Sequence, residues 1–221
     1  MATLLSVGMF PVSLFGQTLF DFENATVHSP LPLSLTVDGI TAQFSATGQG
    51  FSIQPADTMG FTPAGFSGNC IYPSSVFQSD LHIDFSEILS QLSILYAPQE
   101  LACDSSARMR VTAFMDSTQV ATATTTADPP GTWPSATLAI NAPEGFNNVV
   151  IHYDAPPPTG GDWGPIFMAD NLAINVVPEP GSFTLFGLGV VGMYCWRRRS
   201  KCLVKALWGR YIRLNARKQR F

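Results

Sequence analysis

Between Gln17 and Val177 apolar side chains return at every second position in runs too short for anything but strands. The alternation is visible in Leu19 to Glu23, Leu33 to Val37, Ile40 to Ala46, Leu81 to Phe85, Leu92 to Tyr96, Met109 to Met115, Val120 to Thr124, Ala136 to Ile140, Val149 to Tyr153 and Phe167 to Val176. Turn residues separate the runs, as in Asp128-Pro129-Pro130-Gly131 and Pro156-Pro157-Pro158-Thr159-Gly160-Gly161. Helical periodicity with caps is absent except for a weak trace over Phe85 to Leu92. Many short strands with frequent turns predict an all-β, antiparallel β-sandwich over residues 17–177, of jelly-roll type, in which the last strand returns beside the first. With 46% hydrophobic and 13% charged residues, a chain of 221 residues can build one such core with appendages.

Charge is strongly segregated. Arg108 and Arg110 are the only basic residues before Arg197, against all 16 acidic ones; the other ten bases lie between Arg197 and Phe221, where there is no acid. A lysine-free, acid-rich body repels nucleic acid and anionic lipid, so neither is its expected partner.

Residues 1–16 read as an export signal: Leu4, Leu5, Val7, Met9, Phe10, Val12, Leu14 and Phe15 form an apolar run, followed by Gly16 as a small residue at a cleavage point. No Lys or Arg precedes the run, and the alternative is a first buried strand. Export to an oxidising compartment makes Cys70 and Cys103, both in loop-like surroundings, the natural disulfide pair, with an expected stabilisation of roughly 3 to 4 kcal/mol. Two unpaired buried thiols are the alternative. Cys195 and Cys202 belong to the terminal region and are expected to stay reduced.

That terminal region has three parts in order. Val177-Pro178-Glu179-Pro180-Gly181-Ser182 places two prolines around a carboxylate, which no helix interior tolerates. Residues 181–196 are apolar and rich in Gly and aromatics, and Arg197, Arg198 and Arg199 stop the segment. As a helix its sixteen residues extend about 24 Å, less than the ~30 Å hydrocarbon thickness, so the span relies on snorkelling arginines and local thinning. The arginines fix its C-terminal side in the cytoplasm.

This order resembles the PEP-CTERM sorting signal of Gram-negative bacteria that make exopolysaccharide, over Val177 to Arg199. The resemblance implies export, a single-pass inner-membrane intermediate with its C-terminus cytoplasmic, and processing by an exosortase, which releases the protein to the cell surface or the medium. Pro178, Glu179 and Pro180 then carry recognition, with Val177 and Ser182 flanking them. Signals of this family stop soon after the arginines, whereas here residues 200–221 continue. On a helix, Leu203, Val204, Leu207, Trp208, Tyr211 and Leu214 gather on one side, opposite Lys205, Arg210, Arg213, Arg217 and Arg220, the pattern of a basic amphipathic tail on an anionic leaflet.

The body shows no enzyme signature. His28, His82 and His152 are scattered, and no nucleophile elbow, phosphate loop or zinc-helix motif occurs. The expectation is a non-enzymatic binding or structural module for exopolysaccharide and biofilm matrix, with Trp133 and Trp163, in Pro- and Gly-rich loops, as stacking residues. A secreted hydrolase acting on the same polysaccharide is the alternative, since paired carboxylates would suffice for it. No cofactor is expected, with one qualification. Some carbohydrate-binding jelly rolls hold a structural calcium between their first and last strands, and Asp21 and Glu23 on the first, with Asp170 and Asn171 on the last, supply oxygen ligands of the kind calcium takes.

Overall fold

The structure is a computed structural model that describes residues 16–58, 60, 62–98, 108–127, 134–154 and 166–177. Within these lie β1 (Thr18–Phe20), β2 (Leu33–Val37), β3 (Ile40–Ala46), β4 (Phe51–Pro55), β5 (Asn69–Pro73), β6 (Leu81–Pro98), β7 (Arg108–Met115), β8 (Thr118–Thr126), β9 (Ala136–Tyr153) and β10 (Phe167–Val176). Every strand pairing is antiparallel. The described body is therefore all-β, with β10 paired to β1 as the alternation predicts.

The strands β6 and β9, each of 18 residues, organise the rest. In sequence each reads as two short runs, because the alternation breaks in the middle. In β6, Phe85 and Leu89 are buried but Ser86, Glu87 and Ile88 between them are exposed. The β6–β9 register shifts there: the step from Asp84 to Leu89 in β6 faces only Asn148 to Phe146 in β9, and the step from Phe146 to Asn141 in β9 then faces only Leu89 to Gln91 in β6. Extra residues in a ladder bend it. On one side of the bend β6 pairs with β3, from Ala42↔Phe85 to Ala46↔Leu81; on the other it pairs with β10, from Val176↔Leu89 to Phe167↔Pro98. One continuous sheet thus folds over on itself.

Contacts across the fold prove the two halves face each other. Phe44 on β3 meets Phe20 on β1 and Phe22 just beyond it, edge to face, at centroid distances of 6.3 and 5.3 Å. The Tyr96 hydroxyl on β6 donates to the Thr125 carbonyl of β8 at 2.9 Å, which satisfies the polar tip of a wholly buried ring.

The chain enters and leaves this body beside the bend: Thr18 lies opposite Ile174, and the Val177 N–H donates to the Ile88 carbonyl at 2.9 Å. The hairpin β2–β3 turns there through Asp38 and Gly39, with φ of 52° and 81°, as a two-residue turn with left-handed central residues requires. The strand ends joined by the longer connections lie at the other end: Ala46 pairs with Leu81, Phe51 with Pro73, Pro98 with Phe167, Arg108 with Thr126 and Met109 with Tyr153.

A satellite cluster of Ala56, Phe66, Cys70, Ala97 and Met168 packs apart from the main core. Its presence corrects the loop setting expected for Cys70, which is a wholly buried position in β5 that packs into this cluster, its thiol free among the described residues. Its expected partner Cys103 lies outside the described residues, as do residues 1–15 of the export signal, the segment 181–196 and the tail 200–221. Among the described residues no helix is long and apolar enough to cross a membrane. The chain divides into two units, Met1–Val177 and Pro178–Phe221.

Because Phe44 is wholly buried between two aromatic rings from the opposite half, Phe44→Ala is expected to destabilise the body by about 3 to 5 kcal/mol. Leu19→Ala, at a neighbouring half-exposed position, should stay within about 0.5 kcal/mol of the parent in a urea titration.

Candidate functional site

Of the sorting residues only Val177 is described, half-buried, with its N–H donating to the Ile88 carbonyl. Pro178, Glu179, Pro180, Ser182, Arg197, Arg198 and Arg199 lie outside the described residues, and so do Trp133 and Trp163.

The four oxygen-bearing residues assigned to the first and last strands do converge. Pairing of Phe20 with Leu172 carries Asp21 and Glu23, immediately after β1, to Asp170 and Asn171 in β10. Phe22 and Asn171 both have positive φ, 60° and 49°; the first buries its ring, and the second sits in a register shift of β10. The Glu23 carboxylate lies against Gly68, where φ is +54° and a Cβ would overlap it, and it accepts the Asn69 N–H at 3.3 Å. Asp170 is buried, and its two carboxylate oxygens accept the N–H groups of Asn171 at 2.7 Å and Ser67 at 3.4 Å.

Electrostatically the corner is one-signed. Burial pushes the Asp170 carboxyl up to about 7, against the pull of the two backbone N–H groups, and the charges of Glu23 and Asp21 push it further in the same direction. Burial, then Asp170, then Glu23 push the Cys70 thiol up to about 12, so it stays protonated and unreactive at neutral pH.

Both Asp170 oxygens and one of Glu23 are engaged by backbone N–H groups, and the Asn171 side-chain amide donates to the Gly65 carbonyl at 3.4 Å rather than turning its oxygen inward. Among the described residues no group of three or more His, Cys, Asp and Glu side chains is placed to hold a metal. Burial and the neighbouring carboxylates both favour the protonated form of Asp170.

Sequence spacing missed a second polar cluster, because it forms only when β6 and β9 pair. His82 lies opposite Val150, which sets His82 and His152 on adjacent strands of one outward face. His152 donates from Nδ1 to Asp80 Oδ1 at 2.6 Å, and its Nε2 then accepts from the Gln78 amide at 3.2 Å. That amide also reaches the Tyr153 carbonyl at 3.2 Å. Next to it, Arg110 pairs with Asp154 at 3.6 Å, both about a third exposed, a contact worth little on its own. His82 Nε2 is buried without a hydrogen-bond partner. His28 stands apart, bonded to Gln54 at 2.8 Å, so the three histidines do not make one site.

Compared with known proteins, residues 176–199 match the PEP-CTERM protein-sorting motif. No curated protein matches the chain. Among solved structures it is similar to a cleaved adhesin domain of Lys-gingipain from Porphyromonas gingivalis, at 15% identity and a TM-score of 0.41 over 73% of this chain and 98% of that one. A second cleaved adhesin domain of Lys-gingipain gives 13% identity and 0.45 over 73% and 100%. A mutant of a family 29 carbohydrate-binding module gives 12% and 0.33 over 72% and 91%. Likenesses this distant bear on neither ligand nor activity.

The buried proton of Asp170 has a measurable signature. The native chain holds it up to about 7, whereas the unfolded chain releases it near 3.8, so between these values the native state binds more protons and its stability falls as pH rises. Above about 7 this contribution is flat. Asp170→Asn, which cannot ionise, should remove that part of the slope in denaturation curves taken from pH 4 to pH 8; an unchanged slope would show that another group carries it.

Proposed function

We propose that this chain is an exported surface protein, cut by an exosortase near Pro178 to Pro180, whose jelly-roll-type body is a non-catalytic module that binds exopolysaccharide in the biofilm matrix. The observation that carries the sorting half is the motif match at residues 176–199, which implies export and exosortase processing. The exosortase is the processing partner, and the inner membrane holds the chain beforehand through residues 181–196. Arg197 to Arg199 stay cytoplasmic, because each cation costs about 2.5 to 3.5 kcal/mol at the bilayer centre. Pro178 and Pro180 lack backbone N–H groups and so cannot donate to a strand ladder, which suits this stretch to engagement by the enzyme.

The binding reading of the body is supported by its acid-rich, lysine-free surface, which disfavours nucleic acid and anionic lipid but not a neutral, hydroxyl-rich polymer. The hydrolase alternative needs a pair of carboxyl groups within reach of the polymer, and Asp170 is buried, with the Ser67 N–H donating to its carboxylate.

Epitope tags at both ends, followed in hosts with and without an exosortase, test the sorting half. The tag after Phe221 should stay with the membrane fraction while the body tag reaches the surface, only where the enzyme is present. Both tags travelling together in either host would make residues 181–196 a permanent anchor. For the body, retardation in a polysaccharide gel without release of reducing ends supports binding, and steady release of reducing ends supports the hydrolase.

A further inference from the structure

The connection from β5 to β6, Ser74 to Asp80, is tied down along almost its whole length. The Ser74 N–H donates to the Gly50 carbonyl at 3.0 Å, and the Phe77 N–H donates to Ser75 Oγ at 3.0 Å. Gln78 is fixed to the end of β9 through the Tyr153 carbonyl and His152. Ser79 is buried, its Oγ accepting the Gly50 N–H at 3.2 Å. The Asp80 N–H donates to Thr47 Oγ1 at 2.8 Å, the Thr47 N–H returns to the Asp80 carbonyl at 3.1 Å, and the Asp80 carboxylate holds His152.

Two side chains are left out of this network. Val76 is 38% exposed and Phe77 65%, the largest exposure of any large hydrophobic among the described residues. A phenylalanine on a free loop turns inward, since burying its ring is worth about 1.5 to 3 kcal/mol. Here the bonds on either side of Phe77 prevent that. The result is an exposed aromatic ring on a backbone that is tied down, followed in the chain by Gln78, which links to His152 and through it to Asp80.

We propose that Phe77 is a stacking platform for one pyranose ring of a neutral exopolysaccharide, with the hydroxyls of that ring bonded by Gln78 and the polar groups at the end of β9. This rests on the binding reading given under Proposed function and assigns it a place on the body. The combination selects the ligand: an aromatic ring covers the apolar C–H face of a sugar, and uncharged amide and paired ionic groups around it suit hydroxyls. An anionic lipid surface or a polyuronate is disfavoured by an acid-rich body. The loop's rigidity reduces the ordering cost of binding.

The test uses the full chain in mild detergent, run in native gels that contain the neutral fraction of the producing bacterium's exopolysaccharide, with polygalacturonate gels as the anionic control. The parent should be retarded in the neutral gel only. Phe77→Ala should lose at least ten-fold in apparent affinity with a nearly unchanged melting temperature, because the residue is 65% exposed and outside the core. Phe77→Trp should restore retardation and show a polysaccharide-dependent change in tryptophan emission beyond that of the parent. A retarded parent with Phe77→Ala equally retarded overturns the platform and leaves the binding reading standing. A parent that is not retarded overturns both. A Phe77→Ala chain that binds normally but sediments as a smaller species would assign the residue to self-association and likewise overturn the proposal.

Discussion

The bend in β6 between Asp84 and Leu89 is the constraint on which the rest of the body depends. Without it, β6 and β9 would form a long flat ribbon with one apolar side and nothing to cover it. With it, the half paired to β3 closes over the half paired to β10, and Phe44 finds Phe20 and Phe22. Both strands contribute extra residues at the bend, so the ladder resumes in register beyond it and Leu92 again faces Ile140. The same bend sets the two ends of the body apart. Entry, exit and the tight hairpins gather beside it, while the strand ends joined by longer connections gather opposite.

The alternation gave most of the strands correctly, because period two records which face a side chain takes and most strands here have one face in the core. It failed where that condition fails. Strand β5 was not expected: Cys70 and Ile71 are both buried, one toward the satellite cluster and the other toward the main core, so no alternation remains. Strand β4 keeps its alternation in Phe51 and Ile53 but is short and ends at Pro55. Asn141 to Asn148, with Pro143 and Gly145, has the composition of a turn yet continues β9, since a bulged bend needs the same permissive residues as a turn.

Legibility of the sites followed a similar division. The sorting signal is a linear pattern, read from sequence by its order, and the family match covers the same stretch. Asp21, Glu23, Asp170 and Asn171 were placed together correctly because the pairing of first and last strands was foreseen, but their hydrogen bonds were not. Backbone N–H groups of Ser67, Asn69 and Asn171 bond the oxygens, and the first two come from a segment whose course the sequence does not reveal. Cys70 misled for the same reason: Gly68 and Asn69 before it suggest a loop, although it begins a buried strand. The His152–Asp80 pair and the outward Phe77 required the register of β6 with β9 and the course of the connection before β6, neither of which residue spacing encodes.

The account holds that the acid-rich body and the basic end serve different environments and part company at the prolines that follow Val177. The direct test is the intact mass of the mature extracellular protein from its host. The account predicts a C-terminus close to Pro178 to Pro180, with residues 181–221 missing. A mature protein that still contains Arg197 to Arg199 would contradict it.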